Sequence, residues 1–379
     1  MKEPRPVVKE GMNEEEVKSY LSYFQEGMAL PGGITKGIIK DYTGLVICMS
    51  CTIYFKWGWQ EEKQNAICDA LEKYIKLFGD QLTWVIAEDE PGKPLHQDYK
   101  KTRPLRKLYK KWGNDIMVYR HYKGGEKIQD ASPYSFFIGV NAKWESDVVD
   151  KHNDKGVDVV KFSVPISFAK ENMHEFIGLV LELADSLDAL HGFAGYRTEI
   201  SPDRYDEEPT EALVAQKLNG VVVGSDFMPT IELSDVSIKT ISWLTIIGEK
   251  IISKEDYAWL RSELPPSWFA VYPYHSGIIV QAGKQPMMAS FDSDPLPPCY
   301  VLANMVFKPH RVEDCFIHHN IPAKPIIAGD SAVKAWLSRF DVPDDQLDTY
   351  KAKLTKTPRL KRKDVVIDAI APQLQPLYK

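Results

Sequence analysis

Five cysteines, Cys48, Cys51, Cys68, Cys299 and Cys315, are spread over 379 residues. So odd and sparse a set makes no disulfide framework, and a chain of this length buries enough surface to need none. Long apolar runs are also missing: no stretch approaches the roughly 18 residues that span a bilayer. The opening Met1–Gly11 is charged, carries Pro4 and Pro6 and has no apolar core, so it does not read as a signal peptide. These absences predict a soluble chain of a reducing cytoplasm. A basic excess is lacking as well. Lys and Arg total 47 against 53 Asp and Glu, a net charge of −6, which argues against a general nucleic-acid binder.

Complete catalytic signatures are absent too. The chain holds no Gly-x-Ser-x-Gly elbow, no Gly-x-Gly-x-x-Gly after a strand, no phosphate loop and no His-Glu-x-x-His. What remains are fragments. Cys48 and Cys51 fall inside a predicted strand, where positions three apart point to opposite faces, and no second pair completes a tetrahedral metal site. They read as buried small residues. His310, Cys315, His318 and His319 make a conceivable zinc set, but their spacing matches no standard finger, and the plainer reading is a polar strand end and loop. Neither a metal nor a cofactor is expected. Glu61 and Lys63, with Asp41 upstream, mimic the two-carboxylate-plus-lysine set of Mg²⁺ nucleases. Yet Glu61 opens a predicted helix, where an acid simply complements the helix dipole.

The elements that are present repeat. Residues 13–28 read as an amphipathic helix and 29–42 as a loop. A strand at 44–55, a helix at 60–78 closed by Gly79, and a strand at 82–87 follow. The same order returns as a strand at 157–165, a helix at 168–190 and a strand at 195–200. Hairpins are predicted from strands 116–122 with 134–140, and 268–274 with 277–282. Single strands are expected at 240–247 and 300–307, and helices from Pro209, from Ser253, at 331–340 and at 343–354. The class is therefore α+β, with mostly antiparallel sheets, packed helices and an internal strand-helix-strand pseudo-repeat. The expected division is an N-terminal half over 1–150, a C-terminal half over 151–354, and a basic extended tail over 355–379.

Charge is distributed unevenly. Residues 93–127 carry a net +8, residues 349–379 a net +6, and Glu199–Glu211 a net −5. In the basic stretch 100–111, Leu105, Leu108 and Trp112 fall at helical spacing, leaving Arg106, Lys107, Lys110 and Lys111 either on a solvated face or as a grip on phosphate. The acidic stretch also has two readings. It supplies helix N-terminal charge, or its carboxylates around Tyr205 enter a basic cleft on a partner.

From Trp243 onward a succession of segments is familiar: Ser242–Thr245 (SWLT), Leu260–Phe269 (LRSELPPSWF), Ile279–Pro286 (IVQAGKQP), Lys308–Arg311 (KPHR) and Ala332–Phe340 (AVKAWLSRF). Over about residues 45–345 the chain resembles the type VI secretion immunity family paired with VRR-NUC nuclease effectors. It departs from the family pattern at Met287–Ser290, where Gly-Asp is common, and at His310, where an aliphatic residue is common. The resemblance implies a cytoplasmic, non-enzymatic antidote that binds a cognate DNase and blocks its DNA-binding or active site. Asp203, Tyr205, Asp206, Glu207 and Glu208 are then the expected partner contacts. The alternatives are a metal-dependent nuclease using Glu61, Lys63 and Asp41, and a nucleic-acid-binding module using 100–111.

Overall fold

The computed structural model describes residues 30–31, 34–35, 38–39 and 41–369, except 89–95, 153–155, 203–206, 232, 291–294 and 319–329. The helix expected at 13–28 lies outside these residues. Strand β1, Thr43–Phe55, is buried from Gly44 to its end, because both faces of the sheet are covered around it. The other strands are β2 (Trp84–Ala87), β3 (His96–Asp98), β4 (Val118–Lys123), β5 (Ser135–Val140), β6 (Asp158–Val164), β7 (His191–Ile200), β8 (Leu244–Gly248), β9 (Phe269–Tyr274) and β10 (Gly277–Ala282). They form one sheet in the order β9-β10-β8-β7-β1-β6-β5-β4-β2-β3. Every neighbouring pair is antiparallel. The two-residue strand Leu30–Pro31 pairs with the start of β1, within the stretch expected to be all loop.

The helices are α1 (Glu61–Phe78), α2 (Leu105–Trp112), α3 (Lys143–His152), α4 (Ile166–Glu171), α5 (Met173–Ser186), α6 (Glu208–Lys217), α7 (Tyr257–Glu263), α8 (Pro298–Phe307), α9 (Asp330–Leu337) and α10 (Leu347–Leu354). This is the α+β architecture that the residue patterns predict. The repeated strand-helix-strand order is present as β1-α1-β2 and β6-α4-α5-β7. The two units interlock: β1 lies between β6 and β7, and β6 lies between β1 and β5. Strands from both sides of residue 150 thus alternate at the centre of one sheet. Gly192 makes this pairing possible, because a Cβ there would stand 2.4 Å from the Thr52 carbonyl oxygen.

Alternation along the strands divides the two faces. Phe136 packs on Tyr74 of α1 with ring centroids 5.5 Å apart, and Phe162 packs on Phe176 of α5 at 5.7 Å. Their neighbours point the other way, and Phe137 meets Phe227 at 6.2 Å. Helices α1 and α5 therefore lie on one face, and the chain around Phe227 covers the opposite one.

Two local expectations fail for identifiable reasons. Residues 300–307 are helical, not extended; Pro298 starts α8 in a position where its missing N–H costs nothing, and burial of Cys299–Asn304 on all sides erases the helical period. Trp112 does not join Leu105 and Leu108 in the core: Tyr109 takes that place, and Trp112 is left 39% exposed at the helix end. Between 355 and 369 the tail keeps Lys356, Arg359, Lys361, Arg362 and Lys363 exposed and is pinned at a few points. Leu360 and Val365 are buried, the Leu360 N–H donates to Ser267 O at 2.8 Å, and Gln281 Nε2 donates to Asp364 O at 3.0 Å.

Candidate partner-binding site

The acidic segment begins at the end of β7 and runs into α6. Its carboxylates do not share one fate. Glu199 is buried, holding Lys161 Nζ at 2.6 Å and accepting from Ser163 Oγ at 2.7 Å. Glu211 is buried at the other end. It accepts from Thr198 Oγ1 and pairs with His318 Nε2 at 2.8 Å. Burial alone would raise its carboxyl, but His318, Thr198 and Arg197 outweigh that and hold it below the usual carboxylate range. Glu207 and Glu208 are 1% and 5% exposed. They are covered by the chain itself, so the sequence reading that put them at the surface with Asp203, Tyr205 and Asp206 does not describe their place in the fold. A formal charge of −5 says nothing about desolvation. Asp203, Tyr205 and Asp206 lie outside the described residues.

Beneath this segment the sheet carries a buried charged layer. Arg197 meets Asp226 at 2.9 Å, and Lys161 and Lys239 approach the same carboxylate at 3.9 and 3.8 Å. By alternation Lys161 and Ser163 of β6, Ser50 and Thr52 of β1, and Arg197 and Glu199 of β7 share one face. Sequence reasoning missed this layer. Its signal was present as polar residues at every second position of three predicted strands, a pattern that ordinarily means a solvated face. Burial by itself would push the Arg197 guanidinium down, and Asp226, Glu199 and Glu211 more than offset it.

The alternative sites come apart. Lys63 is buried and paired with Asp188, whereas Asp41 pairs with Lys127. The lysine and the upstream carboxylate of the nuclease-like set are thus committed to different partners, and Glu61 is exposed in the first turn of α1. In the basic stretch, Arg106 is tied to Asp69 at 2.6 Å and to Glu72 at 2.9 Å, which docks α2 on α1. Lys107, Lys110 and Lys111 remain exposed. Burial pushes its thiol up at each of Cys48, Cys51 and Cys68, the opposite of what a thiolate ligand or redox pair needs. His318 is engaged by Glu211, Cys315 is buried, and His319 is outside the described residues. Among the described residues no three His, Cys, Asp or Glu side chains cluster as a metal site.

The fold and the sequence both have relatives. A solved structure titled Pseudomonas aeruginosa T6SS protein PA0821 superposes with a TM-score of 0.81 at 27% identity, covering 94% of this chain and 99% of that one. No curated protein matches the sequence. The family model described as type VI immunity for VRR-NUC matches residues 66–340. That span begins within α1, takes in the whole β6-α4-α5-β7 unit and includes the SWLT, QAGKQP and AVKAWLSRF segments. On that match the chain belongs to the TsiV family of type VI immunity proteins for VRR-NUC.

Proposed function

We propose that the chain binds a cognate VRR-NUC-type DNase effector directly and inhibits it by covering its DNA-binding or active site. The family match over 66–340 carries this reading. The geometry supports it in two ways. The catalytic fragments do not assemble, which favours a binding protein over an enzyme. In sequence, residues 203–206 are flanked by buried carboxylates, Glu199 on one side and Glu207, Glu208 and Glu211 on the other. Asp203, Tyr205 and Asp206 are the contacts in this proposal, with the buried Glu207 and Glu208 following them in the chain. A nuclease surface that grips DNA is basic, so carboxylates compete with phosphate for it. The proposed compartment is the cytoplasm, where such an effector meets DNA. No helix of the described residues is long and apolar enough to cross a membrane.

The test uses the purified chain and a candidate cognate VRR-NUC domain. Plasmid cleavage in Mg²⁺ should stop at an equimolar amount of the chain. Asp203→Lys with Asp206→Lys should slow association about tenfold at low salt, with little change in dissociation. Undiminished cleavage with excess chain would refute inhibition, and unchanged association of the double variant would remove Asp203 and Asp206 from the interface. The chain alone, given Mg²⁺ and DNA, should leave the DNA intact.

A further inference from the structure

A cleft of about 450 Å³ opens between α1 and α5. It exists because α1 turns small residues toward its neighbour: Ala66 and Ala70, one turn apart, line it where larger side chains would close the gap. Its floor is apolar and aromatic, made by Tyr74 with Phe136 and Phe162 of the sheet, and Leu179 and Leu183 form the far wall. Native interiors hold few voids larger than a water molecule. Open clefts of roughly 300–1,000 Å³ with apolar walls are instead the usual form of a binding site.

The rim decides what kind of occupant fits. Glu62 and Asp69 of α1 and Glu182 of α5 stand around the opening, with Lys73 bridging the cleft to Glu182 and Arg106 of α2 holding Asp69. The two helices together carry seven carboxylates against three lysines, an excess that Arg106 of α2, paired to Asp69 and Glu72, reduces without reversing. Phosphate and nucleic acid are repelled by such a rim. A neutral apolar ligand would leave it unused. A lysine or arginine side chain matches both parts, its stem lying on the aromatic floor and its head on the carboxylates.

We propose that this cleft receives a basic segment of the effector nuclease, with one or more lysine or arginine side chains inserted between α1 and α5. The proposal rests on the inhibitory reading above and adds a second, preformed contact surface to it. The bridge between Lys73 and Glu182 is the intramolecular stand-in for this contact. On binding, the effector's cation replaces Lys73 as the partner of Glu182. The cleft is already built in the free chain, so its contribution falls mainly on dissociation.

Two variants test it against the same VRR-NUC domain. Ala70→Phe fills the cleft without touching a charge. Glu62→Lys with Glu182→Lys reverses the rim at two exposed positions and leaves the walls intact. Wild-type inhibition is measured first; its absence would refute the inhibitory reading and not the cleft. With inhibition established, Ala70→Phe should raise Kd at least tenfold, chiefly through faster dissociation, and the rim variant should do the same with a weaker salt dependence. Circular dichroism and thermal unfolding certify that each variant is folded. Affinities within twofold of wild type for two folded variants would overturn the proposal. So would concentration-dependent self-association that Ala70→Phe abolishes, since the cleft would then belong to a second copy of this chain.

Discussion

Replacing Asp226 with Asn should destabilise the fold by about 3–5 kcal/mol, measured as a shift in the urea unfolding midpoint followed by tryptophan fluorescence. Asp226 is the shared counter-charge of Arg197, Lys161 and Lys239, and its side chain is 3% exposed. The positive groups cannot reach water when it is neutralised. Burial already pulls Lys239 below the ordinary lysine range, with Asp226 as the main opposing influence. Asn preserves the volume, so the loss would report uncompensated charge and not a cavity. Trp243, fully buried, gives the optical signal. A shift of less than about 1 kcal/mol would show that the layer is solvated in the folded protein and that its burial contributes little. The prediction matters for function because Lys161 also holds Glu199, where the acidic segment begins.

Acidification should unfold the protein well before its carboxylates are spent, and His191 should be a main cause. Its Nδ1–H donates to Ile246 O at 3.1 Å, and its Nε2 accepts from the Lys239 N–H at 2.9 Å. A carbonyl only accepts and an amide N–H only donates, so the ring must be neutral with its proton on Nδ1. Burial first, and Lys239 after it, push this imidazole down to about 3, with the Ile246 carbonyl opposing them. The sign follows from linkage. The unfolded chain takes up a proton near pH 6.5 that the folded chain refuses until about pH 3. Stability from this residue is therefore complete above pH 6.5 and falls through that window, by roughly 5 kcal/mol at its end. His121, half-buried near Lys161 and Lys123, is lowered as well, mainly by desolvation, and adds to the same slope. Urea midpoints at pH 7.5, 5.5 and 4.5 should decline steadily in the wild type and more gently in His191→Gln. Equal slopes in the two proteins would acquit His191.

Both predictions concern groups that the chain sequence displays openly and whose role it hides. Local chemistry was legible. The apolar period of α1, the alternation of β4 with β5 and of β9 with β10, and the β7 corner at Gly192 are short-range patterns, fixed by sterics and by which side chains leave water. The family segments around Trp243, Gln281 and Trp336 were legible for the same reason, being contiguous residues.

The tertiary structure decided what contiguous residues cannot encode alone. It placed β1 between β6 and β7, so that Cys48 faces Arg197 across a ladder linking residues 149 positions apart. That pairing buries Ser50, Thr52, Lys161 and Arg197, which alternation by itself assigns to solvent. It turned Glu199, Glu207, Glu208 and Glu211 inward and tied Lys63 to Asp188, dismantling a motif that looked catalytic in one dimension. It also left α1 and α5 apart at Ala66 and Ala70, opening the acidic cleft. The physical reason is common to all of these. A charge or a small side chain acquires its meaning from what desolvates it and what stands opposite it, and in this protein those partners come from distant parts of the chain.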